Sequence, residues 1–354
     1  MNKYVKRYCI DAMSGMAQGL FASLLIGTII KTLGQLLLRI GENPVFLFIQ
    51  NAGIFATESH VVGAAMAIGI GFAMQVPALV LFSLAAVGSA ANVTGGAGGP
   101  LAVLIIAIIA AEMGDLVSKK TKVDIIVTPA VTIIVGALLT VLTAKYIGIA
   151  ASSVGKFLVW TTKLHPFVMG ILVSLVVGIA LTLPISSAAI CAAFGLTGLA
   201  GGAAVAGCCA QMVGFAVLSF KENKWGGLLS QGLGTSMLQM PNIIKNPKIW
   251  IPPCFASIIT GPIATCLFKL EMNGTAVSSG MGTCGLVGQI GVITGWFQPS
   301  EVAIGHGALA INPTFVDWLG LLLVCFVLPA LISWLTGLLL RKIGWIKEND
   351  LKLD

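Results

Sequence analysis

PLAVLIIAIIAAEMGDLVSKKTKVDIIVTPAVTIIVGALLTVLTA occupies residues 100–144 and contains two apolar runs on either side of a short basic loop. The runs, 100–117 and 123–144, approach or exceed the roughly 20 residues that a helix needs to cross a bilayer. The loop carries Lys119, Lys120 and Lys122, and basic residues hold short loops on the cytoplasmic side. This stretch therefore predicts two membrane-spanning helices joined inside the cell.

The rest of the chain has the same character. Of its 354 residues, 57% are hydrophobic and 9% are charged, and its mean hydropathy is +1.00. Soluble domains carry about 25% charged residues, so this composition excludes a soluble enzyme, a nucleic-acid-binding protein and a disordered chain. The net charge of +7 resides in short loops between apolar runs, which is the pattern of a membrane protein and not of a nucleic-acid surface. The sequence predicts an all-α polytopic membrane protein embedded in the lipid bilayer.

Hydropathy predicts the helices that cross the membrane. Eight stretches are long and apolar enough, namely about 14–38, 61–91, 100–117, 123–144, 166–183, 201–220, 250–269 and 315–340. Three more are short or broken, at 44–57, 185–200 and 281–297, and such stretches in transporters form re-entrant hairpins or unwound helices that line a cavity. We therefore expect 8–10 transmembrane helices in a single membrane domain, 1–354, with both termini cytoplasmic. Residues 145–163 are expected to form an amphipathic segment at the membrane surface.

An internal repeat is suggested by similar spacing in two parts of the chain. The three residues of each copy are related by a shift of 107 positions: Gly63, Gly71 and Pro77 in the first, and Gly170, Gly178 and Pro184 in the second. The repeat units would be 61–120 and 168–222, and transporters place their sites where such units meet. Chance similarity between two Gly- and Ala-rich segments is the alternative.

Polar residues cluster between 50 and 60, in the sequence QNAGIFATESH. Ionisable groups are costly at membrane depth and therefore mark functional sites. Asn51, Glu58 and His60 are candidate solute-binding residues, and an unwound backbone would place Glu58 and His60 on one face. The alternative is a solvated loop between the first two spans.

Glu301 and His306 form a second acid–histidine pair, in QPSEVAIGHG ahead of the last span. They are also candidate solute-binding residues, with a simple loop as the alternative. Glu112 is the third acidic residue within an apolar context. For Glu112 we expect a position at a helix end, facing Lys119 or Lys120.

A third polar group comprises Gln239, Asn242 and Asn246, within a segment that also holds four prolines between 241 and 253. Proline inside a helix costs about 3 kcal/mol, so the backbone must break here. The amides are candidates for holding a solute at this break. An ordinary cytoplasmic loop, in which the amides cap helices, is the alternative that Lys245 and Lys248 favour.

The sequence lacks the motifs of several kinds of enzyme. There is no phosphate-binding loop, no His-Glu-x-x-His and no Gly-x-Ser-x-Gly. The eight cysteines lack the spacing of metal ligands and are expected to behave as small buried hydrophobes. We therefore expect no enzymatic activity in this chain, no cofactor and no metal site.

The segment MLQMPNIIKNPKIWIPPCFASIITGP, residues 237–262, resembles the membrane subunits, enzyme IIC, of the bacterial sugar phosphotransferase system. More narrowly, it is similar to the stand-alone branch that includes the PfoR-type regulators. The resemblance extends over nearly the whole chain in length and hydropathy. The usual Gly-Ile-Thr-Glu-Pro signature of the family is missing. The segment most similar to it is Gly53-Ile-Phe-Ala-Thr-Glu58.

The resemblance implies a homodimer in the bacterial cell membrane, with about ten spans per protomer, two re-entrant hairpins and a sugar site on a moving domain. It implies that a Glu and a His hold the sugar, and that any phosphorylation requires separate IIA and IIB partner proteins. Two functions remain open at this stage. One is a transporter of a small polar solute, most naturally a sugar, and the other is a membrane sensor or regulator that binds a solute without moving it.

Overall fold

The fold is entirely helical in the residues that the computed structural model describes, which are residue 4 and residues 6–353, without the side chains of residues 39 and 40. Within this part of the chain no strand is present, and a single antiparallel bridge joins Gly198 to Met272. The chain divides into two compact units, Met1–Ala151 and Ser152–Asp354. The predicted fold class, an all-α polytopic membrane protein, is confirmed.

The first unit contains five helices and most of a sixth. They are α1 (Lys6–Leu38), α2 (Pro44–Thr57), α3 (Ser59–Ala73), α4 (Ala78–Gly95), α5 (Gly99–Val117) and α6 (Asp124–Thr161). Helix α6 is continuous through residues 145–161, so the segment that was expected to lie separately at the membrane surface is an extension of a span. Its last turns belong to the second unit.

Helix α1 packs antiparallel against α2 and α3 through small residues. A Cβ added to Gly69 of α3 would overlap the carbonyl oxygen of Gly15, and a Cβ at Gly27 would lie 2.7 Å from Ala56 Cβ. Helices in a bilayer usually associate through such close backbone approach. Lipid tails are as apolar as the helices, so the hydrophobic effect does not drive helices together there and close packing must do so. The high glycine content of the sequence thus determines the packing of this unit.

Helices α4 and α5 form a hairpin. With the turn between them they cover 40 residues, Ala78–Val117, and a straight helix of that length would measure about 60 Å, twice the hydrocarbon thickness. The chain reverses at Gly96, which has a φ of +51°, and a Cβ at Gly114 would lie 3.0 Å from Val80 Cγ1. The pair therefore supplies two antiparallel helices of span length.

An ion pair joins the first and fifth helices of this unit. Arg7 Nη2 lies 2.9 Å from Glu112 Oε1, and both side chains are partly buried. Our expectation that Glu112 faces Lys119 or Lys120 is therefore wrong. The sequence separation of 105 residues explains the error, because helix-end pairing was judged from the nearest basic residues along the chain.

Ten further α-helices, several of them short, lie among the described residues of the second unit. They are α7 (Pro166–Thr182), α8 (Ser187–Ala193), α9 (Gly198–Leu218), α10 (Phe220–Leu229), α11 (Met240–Lys245), α12 (Pro247–Leu267), α13 (Ala276–Ser279), α14 (Val287–Phe297), α15 (Glu301–Gly305) and α16 (Phe315–Lys342). Helix α9 forms the centre of this unit, and most of its residues are buried. A helix that is apolar on all sides is expected to be buried in this way.

Small and hydroxyl-bearing residues hold α7, α9 and α12 together. A Cβ at Gly207 of α9 would overlap Ser174 of α7, whose hydroxyl donates to the carbonyl oxygen of Ser257 on α12 at 2.6 Å. Cys208 and Cys209 are fully buried on α9, as expected for cysteines that act as small hydrophobes, whereas Cys9 and Cys266 are exposed and depart from that expectation. The result is a tightly packed helical core whose ends carry the irregular segments described below.

By length alone, the described helices supply no more than the lower end of the 8–10 spans that the sequence predicts. Six described helices are long and apolar enough to cross a membrane, or seven if α2 and α3 count as one span bent by 57°. Dividing the α4–α5 hairpin into its two helices raises these counts by one. The shorter apolar helices are Pro166–Thr182 and Cys284–Phe297. The predicted span 61–91 is divided because the chain turns at Gln75, with a φ of +56°, before Pro77.

Candidate functional site

Two irregular backbone segments meet in the second unit, one between α8 and α9 and the other after α12. The N–H of Gly198 donates to the carbonyl oxygen of Met272 at 3.1 Å, and the N–H of Met272 donates back to Gly198 at 3.0 Å. The φ of Gly198 is +65°, a conformation that favours glycine and allows the chain to turn into α9. Antiparallel pairing places Thr197 and Asn273 next to this bridge on opposite segments.

A third segment, leading into α15, is attached to the same place. The N–H of Ser300 donates to the carbonyl oxygen of Asn273 at 2.9 Å, and the Ser300 hydroxyl donates to Gly274 at 2.7 Å. His306, at the end of α15, has its Nδ1 3.1 Å from Thr197 Oγ1. The His306 ring can donate to or accept from the hydroxyl according to its tautomer.

The amide of Asn273 is the most informative group at this junction. Its Nδ2 donates to Glu271 Oε2 at 2.8 Å, while its Oδ1 is buried without a hydrogen-bond partner. Gln289 on α14 shows the same pattern, because Nε2 contacts Cys209 Sγ at 3.2 Å and Oε1 is buried and unpaired. Buried polar atoms normally have partners, and these two acceptors have none among the described residues.

Hydroxyl groups fix the short helices around this junction. The Ser279 hydroxyl of α13 donates to the carbonyl oxygen of Leu196 at 2.6 Å. The Ser187 hydroxyl of α8 donates to Gly280 at 2.7 Å. These bonds satisfy carbonyl groups that helices would otherwise pair internally, so the two irregular segments are held in a defined arrangement.

Glu301 and His306, which we predicted as an acid–histidine pair, both lie at this junction. Glu301 is the first residue of α15, and His306 directly follows its last residue. Both residues are exposed. His306 contacts Thr197, and Glu301 occupies the first turn of α15 after the Ser300 cap.

The predicted cluster of Asn51, Glu58 and His60 lies in the first unit. Glu58 has an extended backbone, with φ of −62° and ψ of 138°, at the 57° bend between α2 and α3. All three residues are exposed. His60 Nδ1 lies 2.8 Å from Ser89 Oγ. The cluster therefore occupies a helix break instead of a loop between spans, and its role in solute binding stays a prediction.

The three predicted amides at 239, 242 and 246 are brought together, and each donates to the C-terminal segment of the chain. Gln239 Nε2 donates to the carbonyl oxygen of Leu351 at 3.0 Å, and Asn242 Nδ2 donates to that of Lys352 at 2.8 Å. Asn246 also caps the following turn by accepting from the N–H of Lys248 at 3.2 Å. The N–H groups predicted to bind a solute are thus engaged by the protein itself.

Sequence reasoning missed Thr197, Glu271 and Asn273. The sequence did contain a signal for these residues. Glu-Met-Asn-Gly-Thr, residues 271–275, is a polar segment that directly follows a predicted span. Nothing in the local pattern indicates that this text pairs with Gly198, 74 positions earlier along the chain.

The family model described as "Phosphotransferase system, EIIC" matches residues 10–353. The chain belongs to the EIIC family of the phosphotransferase system. Comparison with curated proteins and with solved structures gives no match.

Membership in the EIIC family makes the chain a membrane component of a sugar-transport system. The resemblance drawn from residues 237–262 is confirmed at the level of the family. The narrower stand-alone, PfoR-type branch stays a prediction.

Proposed function

We propose that this EIIC chain binds a sugar at the junction of the three irregular segments in its second unit and carries it across the membrane. The observation that supports this proposal is the Gly198–Met272 bridge, which brings Thr197, Asn273 and His306 together. Transporters commonly bind solutes where helices are interrupted, because the freed backbone groups and nearby polar side chains can face a ligand.

The groups at this junction suit a polyhydroxylated solute. A sugar hydroxyl both donates and accepts, so it needs acceptors such as Asn273 Oδ1 and the carboxylates of Glu271 and Glu301. It also needs groups that can donate, and the Thr197 hydroxyl and the His306 ring are of this kind. A solute hydroxyl that donates to Asn273 Oδ1 would satisfy the buried acceptor, whose isolation is otherwise unfavourable.

The wider assignment follows from the family. We propose that the protein is a homodimer in the bacterial cell membrane with both termini in the cytoplasm. The chain itself is not an enzyme in this proposal, and separate IIA and IIB proteins would phosphorylate the sugar. A membrane sensor that binds without transport is the alternative, and the family places it second.

A binding screen tests the site. Purified protein is mixed with sugars, sugar acids and nucleosides, and thermal unfolding identifies the ligand that raises the melting temperature. The dissociation constant is then measured for single alanine variants of the three histidines, His60, His165 and His306. We expect His306→Ala to weaken sugar binding about tenfold or more, as the loss of one hydrogen bond to a buried ligand would.

The other two histidines serve as matched controls. His165 caps the start of α7 by accepting from the N–H of Phe167 at 3.4 Å, so His165→Ala should change stability and leave sugar affinity unaltered. A loss of affinity in His60→Ala with none in His306→Ala would move the site to the first unit. The absence of any sugar among the stabilising ligands would contradict the proposed function.

A further inference from the structure

The C-terminal segment after α16, residues 344–353, is unusually well anchored. Leu351 is fully buried and Ile346 is 2% exposed. The segment has no regular helix or strand of its own. Its position must therefore be fixed by contacts with the rest of the second unit.

The side-chain amide of Asn223, on α10, makes two hydrogen bonds to the backbone of this segment. Nδ2 donates to the carbonyl oxygen of Leu351 at 2.7 Å, and Oδ1 accepts from the N–H of Leu353 at 2.9 Å. This paired arrangement imitates the hydrogen bonds of a neighbouring β-strand. Because both bonds go to the main chain, Asn223 binds the backbone of this segment and not a particular side chain.

A buried row of amides lies behind this contact. Gln239 Nε2 donates both to Leu351 and to Gln231 Oε1, the latter at 2.9 Å, and Asn242 Nδ2 donates to Gln239 Oε1 at 2.9 Å. Gln231 Nε2 in turn donates to Ser219 Oγ at 2.8 Å. The side chains of this row are almost completely buried, so loss of the segment would leave donors without partners, at a cost typical of unpaired buried groups.

The remaining contacts lie nearer the start of the segment. Asn246 Nδ2 donates to the carbonyl oxygen of Trp345 at 3.0 Å and to Asp350 Oδ2 at 2.7 Å. Lys221 donates to Glu348 Oε1 at 2.7 Å and lowers the pKa of that carboxyl. This last pair is exposed, and exposed ion pairs contribute little to stability, so the amide contacts dominate.

These contacts join the same end of three long helices. Asn223 follows the end of α9 and Asn246 precedes α12, while the segment itself continues from α16. Arg341 of α16 adds an ion pair of 2.8 Å with Glu222 and donates to the carbonyl oxygen of Leu218. The sugar site proposed above lies at the other end of α9, about 30 Å away for a helix of 21 residues.

We propose that residues 344–353 form a strap that locks the ends of α9, α12 and α16 into one rigid body. The strap is an internal peptide ligand, and its receptor is the amide groove of Asn223, Gln239, Asn242 and Asn246. Most of these bonds are made to the backbone of the strap, so changes to the receptor amides release it. The proposal is independent of the identity of the solute.

Hydrogen–deuterium exchange on the full-length protein in detergent or nanodiscs tests this proposal. In Asn223→Ala we expect exchange in 345–353 to accelerate about tenfold or more, because two backbone hydrogen bonds are lost. Exchange in 240–246 should rise as well, since α11 carries the rest of the groove. Lys221→Ala is the matched control, because it removes a contact to the same segment from the surface, and it should change exchange by less than about threefold.

Asn223→Asp keeps an acceptor for the N–H of Leu353 and loses only the donor to Leu351, so it should fall between the alanine variant and the wild type. This second variant also covers the case in which Asn223→Ala does not fold. Exchange in 345–353 that is unchanged in both Asn223 variants would overturn the proposal. Acceleration confined to 345–353, with 240–246 unaffected, would also overturn it, because the segment would then be a loose tail and not a lock.

Discussion

The amide of Asn273 has one end paired within the chain and one end buried without a partner. Asn273→Ala removes the bond to Glu271, which is exposed and can be solvated by water, so the ligand-free protein should lose only about 1 kcal/mol. The sugar loses an acceptor in the same variant, and its affinity should fall about tenfold. Thermal unfolding without ligand and titration with the sugar measure the two effects separately.

Asn312→Ala is the control for this prediction. Asn312 is an exposed asparagine of the same unit, in the stretch that precedes α16, and its replacement should alter neither quantity. Equal sugar affinity in Asn273→Ala and in the wild type would show that the unpaired oxygen does not face the solute.

Individual site residues were only partly predictable from the sequence. His306 and Glu301 stand out because ionisable side chains are rare in an apolar chain. Thr197 and Asn273 do not, because threonine and asparagine are common at helix ends for ordinary capping reasons. Their importance arises from a bridge between segments 74 positions apart, and a pairing of that kind leaves no periodic trace in a single sequence.

At the level of the elements, glycines determine how the helices of the first unit pack. A Cβ at Gly69 would overlap the backbone of Gly15, and backbone atoms cannot move aside as a flexible side chain can. We expect Gly69→Ala to separate α1 from α3 and to destabilise the protein by about 3 kcal/mol, the upper part of the usual range for overpacking. Thermal or denaturant unfolding in detergent measures the loss.

Gly41→Ala is the matched control for the glycine variant. Nothing lies within 4 Å of a Cβ at that position, and its φ of 174° is extended backbone that any residue can adopt. Its stability should remain within about 0.5 kcal/mol of the wild type. An equal loss in the two variants would contradict the role of close α1–α3 packing.

Apolar length predicted most of the long helices, and the reversal between α4 and α5 falls between the predicted spans 61–91 and 100–117. The turn at Gln75 was not predicted, because it lies inside the hydrophobic stretch 61–91 and is marked only by a positive φ. The polar amides near 240 were recognised as a group. Their partner segment was not, because it lies more than 100 residues away in the chain.

At the level of the whole molecule, the distribution of lysine and arginine predicts the topology. Because basic loops remain in the cytoplasm, single cysteines at Lys120→Cys and Lys221→Cys, introduced after the native cysteines are replaced, should react with an impermeant reagent only when the membrane is opened. Asn312→Cys precedes the last span, α16, and should react from outside. Labelling of position 120 or 221 in intact cells would invert or refute the predicted topology.

Solute exchange in proteoliposomes distinguishes a transporter from a sensor built on the same fold. Vesicles that contain the purified protein are loaded with the sugar identified by the thermal-unfolding screen, and uptake of the radiolabelled sugar is followed for the wild type, His306→Ala and His165→Ala. We expect rapid exchange in the wild type and in His165→Ala, and exchange reduced about tenfold or more in His306→Ala. Tight sugar binding with no exchange above empty vesicles in the wild type would contradict transport by this EIIC chain.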